Sequence, residues 1–199
     1  MTVAILGGTF DPPHVGHLVA GEAALQLPGC ERVLFVPAGD PYRKAPGPGE
    51  RGPTSTRHRV EMTRLAVIDN PGFAVDQREV ERTGPTYTVD TLIGLAAQGV
   101  ERPYLILGAD ALADMPQWHE PGRIEAMARI VIAPRPGYEV ADCPYVVLDM
   151  PPLAVSSTDI RRRVAAGRSV RYLVPPPVAA YIREHGLYGG GIQRPRPPA

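Results

Sequence analysis

An α/β fold, an open parallel sheet flanked by helices, follows from two features of this sequence. Short, continuous, largely β-branched apolar runs recur along the chain, as expected of strands buried on both faces of a parallel sheet. Segments of helical periodicity lie between them, and strand–helix alternation implies βαβ units with right-handed crossovers. Ligands of such sheets bind beyond the carboxyl ends of the strands, which directs attention to the loops after Leu6, Val36 and Leu107.

The first strand is Val3-Ala4-Ile5-Leu6, followed by a glycine-rich loop and a helix beginning near Gly16–His17. Val33-Leu34-Phe35-Val36 is the second strand. Residues 37–56 hold several Pro and Gly together with Arg43, Lys44 and Arg51, and read as a mobile loop. Met62, Leu65 and Ala66 mark a weakly amphipathic helix; Val89, Leu92, Ile93, Ala96 and Ala97 mark a stronger one at i, i+3, i+4, i+7, i+8. Tyr104-Leu105-Ile106-Leu107 is the next strand, and Ile124, Met127 and Ala128 repeat the helical theme. Two more strands, Ile130-Val131-Ile132-Ala133 and Tyr145-Val146-Val147-Leu148, complete the sheet. Three successive hydroxyls at Ser156, Ser157 and Thr158 announce a helix start. Pro175-Pro176-Pro177 precedes a short helix through about Arg183, a C-terminal helical cap. One domain is expected over residues 1–188, with the Gly/Pro-rich stretch 189–199 as a disordered tail.

Composition narrows the function. Lys+Arg (21) balances Asp+Glu (21), so the chain lacks the basic excess of a general nucleic-acid binder, although a local phosphate site is allowed. No apolar run approaches the roughly 18–20 residues that span a bilayer, and the N-terminus has no signal-peptide layout, so a soluble, cytoplasmic protein is expected. Cys30 and Cys143, without a CxxC partner, read as free thiols. Lys44 is the sole lysine and lies between Arg43 and Ala45, which excludes a Walker A loop.

Two segments carry chemistry. In Gly7-Gly8-Thr9-Phe10-Asp11-Pro12-Pro13-His14-Val15-Gly16-His17, paired glycines after a strand let backbone N–H groups approach a ligand. The following helix start offers N–H groups to an anion, and His14 and His17, three apart, can both donate to phosphate oxygens. Gly7-Gly8 alone also reads as a tight turn. A dinucleotide-binding loop would read GxGxxG instead, and a zinc pair would need further ligands that do not follow. In Val155-Ser156-Ser157-Thr158-Asp159-Ile160-Arg161, the i, i+3 step from Thr158 to Arg161 places a guanidinium beside the hydroxyls at a helix start, able to grip a second phosphate. By itself this second segment also reads as an N-cap followed by a solvated face of Arg161, Arg162 and Arg163.

Together these motifs strongly resemble the HxGH nucleotidyltransferases, and among them the bacterial nicotinate-nucleotide adenylyltransferases. The resemblance runs from about Met1 to Tyr188 and includes Gly84-Pro85-Thr86-Tyr87-Thr88-Val89-Asp90-Thr91-Leu92, Gly108-Ala109-Asp110-Ala111-Leu112, Trp118-His119, Arg135-Pro136-Gly137-Tyr138 and His185-Gly186-Leu187-Tyr188. It implies a Rossmann-like nucleotidyltransferase fold and adenylyl transfer from ATP to nicotinate mononucleotide, with Mg²⁺ bridging the phosphates. His14, His17 and Arg161 would be the catalytic donors. Gly7, Gly8, Thr9, Phe10, Gly16, Asp110, Ser156, Ser157 and Thr158 would bind ATP, Asp110 at its ribose. Thr88, Trp118 and His119 would form the nicotinate pocket, with the indole stacked on the pyridine ring; Trp118 also reads as a core anchor beside Pro116. Where a Pro-Pro-His-Lys type of stretch is common, this chain has Asp40-Pro41-Tyr42-Arg43-Lys44, so Arg43 and Lys44 keep the basic character for a nucleotide phosphate. Phosphopantetheine adenylyltransferases share both phosphate motifs but give no reason for Trp118-His119 or for the Gly84 to Thr88 stretch. The motifs are also compatible with a nicotinamide-preferring enzyme and with a nucleotide-binding regulator that lacks catalysis.

Overall fold

In the computed structural model, which describes residues 2–40, 52–138 and 143–189, the apolar runs become strands β1 (Thr2–Gly8), β2 (Cys30–Pro37), β4 (Tyr104–Gly108), β5 (Arg129–Ala133) and β6 (Val146–Val147). One further strand, β3 (Phe73–Val75), was not legible in the sequence; it is only three residues long and half-buried at an edge. The single sheet has the order β3-β2-β1-β4-β5-β6. Every pairing is parallel. The chain starts in the middle, winds to one edge, then returns past β1 to build the other half. The strand order therefore reverses between β1 and β4, which leaves a crevice at their carboxyl ends.

Among the described residues, seven helices connect or cover the strands: α1 (Val15–Ala24), α2 (Thr56–Val67), α3 (Thr88–Ala96), α4 (Ala109–Asp114), α5 (Pro121–Met127), α6 (Ser157–Ala165) and α7 (Pro176–Glu184). Because side chains alternate across a strand, β1, β4 and β5 feed both faces of the sheet. Ala4, Leu6, Tyr104, Ile106 and Val131 face a core closed by Ala20 and Ala24 of α1, Met62 and Ala66 of α2, Ile160 of α6 and Val178 and Ile182 of α7. Ile5, Leu105, Leu107, Ile130 and Ile132 face the opposite core, closed by Val89, Leu92 and Leu95 of α3 and by Ile124 and Ala128 at α5. At roughly 1.5–3 kcal/mol per fully buried large aliphatic side chain, the two cores fix the strand register that positions the crevice.

The structure corrects one expectation. The buried row of α3 is Val89, Leu92 and Leu95 with Thr91, whereas Ile93 is 37% exposed and Ala96 and Ala97 face outward. The bulkier Leu95 turns the helix onto the i, i+3, i+6 row, while alanines at its end have little surface to bury. The C-terminal cap is present as α7 followed by a short 3-10 turn, Leu187–Gly189. Arg43, Lys44, Arg51 and residues 190–199 lie outside the described residues. No helix among the described residues is long and apolar enough to cross a membrane.

Candidate functional site

Gly7 and Gly8 end β1 beside the carboxyl end of β4, at the crevice. A Cβ at Gly8 would stand 3.2 Å from the Phe10 ring. Phe10 adopts φ 51, a left-handed conformation unusual for an aromatic residue, and its buried ring meets His17 edge-on with centroids 5.0 Å apart. His14 is the N-cap residue of α1, and its ring stacks on His17 at 3.7 Å. The His14 backbone N–H donates to His17 Nδ1 at 3.1 Å. A neutral His17 therefore carries its proton on Nε2. Gly16 lies close between them: a Cβ there would stand 3.1 Å from two ring atoms of His14 and press on that ring. With no acidic residue in its first turn, α1 keeps its N-terminal field available to an anion.

The second motif folds back onto the first. Ser156 is the N-cap of α6, accepting from the Asp159 N–H at 3.1 Å and donating its own hydroxyl to Asp159 Oδ2 at 2.8 Å. Ser157 Oγ donates to the Pro12 carbonyl at 2.9 Å. Arg161 donates through Nη1 to the Asp11 carbonyl at 2.9 Å and through Nη2 to Thr158 Oγ1 at 3.2 Å. Asp159 in the first turn already answers part of the field of α6, so the positive charge of this corner lies with the Arg161 guanidinium more than with the helix end.

Residues that carry no signal in the sequence hold this loop from behind. Arg59 is 1% exposed, and burial lowers its pKa from the usual guanidinium value. It donates to the carbonyls of Thr54 at 3.0 Å, Thr9 at 2.9 Å and Gly39 at 3.1 Å, and to Thr56 Oγ1 at 3.2 Å. Asp11, 4% exposed, accepts from the Thr54 N–H at 2.9 Å and from Tyr188 Oη at 2.7 Å. In the sequence, Arg59 stands in a polar helix among other arginines, and nothing local distinguishes it from a solvated one. Asp11 lies inside the motif, yet the motif does not say whether it faces ligand or protein.

At the end of β4, Asp110 opens α4 and accepts from Arg135 Nη1 at 2.7 Å. The other arm of Arg135 reaches the Val155 carbonyl at 3.2 Å, which joins this position to the approach to α6. Thr88 is the first residue of α3, and no side chain caps that helix start. Its neighbour Tyr87 lies against His119, ring centroids 4.4 Å apart, which brings the start of α3 to the Trp118-His119 turn. Trp118 is half-buried against the second core, and His119 Nε2 sits 3.3 Å from Glu120. The turn before α3 is pinned to the end of β2, since the Asp40 N–H donates to Thr86 Oγ1 at 2.8 Å. Beneath it Glu79 accepts from Thr91 Oγ1 at 2.6 Å, and burial pushes its carboxyl up to about 7.

The crevice thus has one side made of the two motifs and another made of α3 and the Trp118-His119 turn. Residues 5–163 match the cytidylyltransferase-like family. A protein of Roseiflexus sp. strain RS-1 named "probable nicotinate-nucleotide adenylyltransferase" is 47% identical over 198 residues, covering 94% of this chain and 97% of that one. A protein of the same name from Thermus thermophilus is 45% identical over 194 residues, covering 94% of this chain and 100% of that one. The Plasmodium falciparum nicotinic acid mononucleotide adenylyltransferase complexed with APC superposes with TM-score 0.78 at 20% identity, over 96% of this chain and 99% of that one. The same enzyme complexed with NaAD gives TM-score 0.77.

Proposed function

The chain belongs to the cytidylyltransferase-like family and, within it, to the nicotinate-nucleotide adenylyltransferases, and on that premise we propose that it transfers the adenylyl group of ATP to nicotinate mononucleotide. The observation that carries this reading is the direct hydrogen bonding of Arg161 and Ser157 to the Asp11 and Pro12 carbonyls. It ties the start of α6, with its guanidinium, to the loop that leads into α1, and this supports a reading in which both motifs face one triphosphate.

The reaction needs no protein nucleophile, because the substrate phosphate is ionised at neutral pH. One of its oxygens attacks the α-phosphorus of ATP, a P–O bond forms as the bond to pyrophosphate breaks, and nicotinate adenine dinucleotide is the product. Catalysis rests on alignment and on donors already aimed at the charge that grows on the phosphates. His14, His17 with its Nε2 proton, and Arg161 serve as those donors, with the N–H groups of Gly7, Gly8, Thr9, Phe10 and Gly16 and the hydroxyls of Ser156, Ser157 and Thr158 lining the approach. Asp110, steadied by Arg135, faces the ribose. Thr88, Trp118 and His119 receive the pyridine ring, and the N–H groups at the start of α3 suit its carboxylate. Arg43 and Lys44 complete the reading as contacts to nucleotide phosphate.

No group of three His, Cys, Asp or Glu residues able to hold a metal stands among the described residues, and Asp110 is already paired. A Mg²⁺ ion, if bound, would come with ATP and would supply charge neutralisation at the phosphates, beside the donors of His14, His17 and Arg161. The test is pyrophosphate release on mixing the protein with ATP, Mg²⁺ and nicotinate mononucleotide, with the dinucleotide product identified chromatographically. Release that requires both substrates supports the reading; binding of ATP without turnover overturns it.

A further inference from the structure

Two aromatic residues held in the left-handed region, Phe10 at φ 51 and Tyr188 at φ 64, stand 178 positions apart in the chain and flank one carboxylate, Asp11, the first by sequence and the second by a hydrogen bond. Asp11 follows Phe10 directly, and Tyr188 Oη donates to its Oδ1 at 2.7 Å. Non-glycine residues keep such backbone angles only where their surroundings over-determine them. Burial and the adjoining Asp11 charge raise the phenol pKa far above its ordinary value, so Tyr188 remains a donor at any working pH; Arg161 lies close enough to act on it in the opposite sense. The backbone carbonyl of the same Asp11 accepts from Arg161 Nη1 at 2.9 Å. A continuous chain of contacts thus runs from the last turn of the described chain to the Arg161 guanidinium.

We propose that Tyr188 is a positioning residue: by donating to Asp11 it holds the Asp11 carbonyl where that carbonyl orients Arg161. The idea rests on the adenylyl-transfer reading of the site. It gives the C-terminal 3-10 turn a task in catalysis without contact to either substrate. Freed from Tyr188, the loop loses one of its ties and Arg161 its fixed anchor, while Arg59 and Thr54 still hold the loop in outline. Misalignment of this kind lowers turnover more than it weakens binding, since small displacements of a preorganised group are felt most in the transition state.

The test is a double-mutant cycle on the full chain: wild type, Tyr188→Phe, Arg161→Ala and the double variant, assayed by pyrophosphate release, with melting temperatures measured alongside. Tyr188→Phe should lower kcat by about 5- to 20-fold, leave KM for ATP within about 3-fold, and have less than about a 2-fold effect once Arg161 is Ala. Unchanged kcat, a loss confined to KM, or the same fold-loss in both backgrounds would overturn the proposal, the last showing only a structural role. Asp11→Asn in the same cycle replaces Tyr188→Phe should the latter fail to fold, with the same expected non-additivity. Wild-type turnover decides the functional reading separately: an inactive wild type overturns the adenylyl-transfer reading, whereas an active wild type with additive losses overturns only the role of Tyr188.

Discussion

On the side of the crevice proposed for phosphate the loop from Phe10 to His14 is buried and tied several times over, whereas on the side proposed for the pyridine ring the Trp118-His119 turn is half-exposed and lightly held. His14 is 6% exposed and stacked on His17, and the loop beside it is fastened by Arg59, Asp11, Ser157 and Arg161. His119 leaves 50% of its side chain in solvent, with Tyr87 and Glu120 as neighbours. The difference follows from what each side must do. Charge that develops during phosphoryl transfer is stabilised best by donors that need not reorganise. A flat pyridine ring gains mainly from area and an offset stack, which tolerate adjustment. On the proposed reading, the ties are densest where charge would move.

The contrast predicts where substitutions will be felt, and His17→Ala should be felt most. Its kcat should fall by roughly 10²–10³-fold, the usual effect of losing one donor to developing charge, with ATP affinity reduced less. Equal losses in both, measured by steady-state kinetics and calorimetry, would make the phosphate side a binding surface without transition-state preference.

The ring side should nonetheless discriminate. A carboxylate accepts only, while a carboxamide also presents N–H donors, and the start of α3 offers donors. Unpaired buried groups cost about 1–3 kcal/mol each, so kcat/KM should favour nicotinate over nicotinamide mononucleotide by at least about 10²-fold. Comparable values for the two in one Mg²⁺ buffer would show this side to be looser still.

Glu79, under the ring side, gives a smaller and pH-dependent effect. Its carboxyl is pushed up to about 7 in the folded protein from an ordinary 4.5, first by burial. The folded state therefore holds the proton more tightly, and this contribution is full below about 4.5 and lost as pH rises through about 7. Glu79→Gln, which can still accept from Thr91, should raise stability at pH 8 by about 1–3 kcal/mol and change it little at pH 4. Denaturant melts at the two pH values check this; a destabilised variant at pH 8 would mean that the charged form has a partner in the fold. The smallest effect is expected from ending the chain after Gly189. Activity should stay within about 2-fold in the pyrophosphate-release assay, because the Gly/Pro-rich composition of residues 190–199 cannot build a core.

Periodicity and motif spacing determined a good deal. Continuous apolar runs announced every strand except β3, since a three-residue edge strand offers no pattern longer than a turn. They also announced the parallel sheet, because only strands covered on both faces can be apolar throughout. The two motifs were legible as a strand end and as helix starts for a related reason: glycines, histidines and hydroxyls at such places are local arrangements, complete within a few residues. The sequence did not show which polar residues turn inward. Arg59 sits in a helix as polar as any solvent-facing one, and only the carbonyls of Thr9, Gly39 and Thr54 converging on it make its burial tolerable. Tyr188 and Asp11 are likewise ordinary until the fold closes the 177 positions between them. The α3 stripe shows the same limit, because Leu95 and Ala96 compete for one sheet face and packing chooses between them. Local order is written in neighbours along the chain. Buried charge and tethers between distant loops depend on partners that only the tertiary structure supplies.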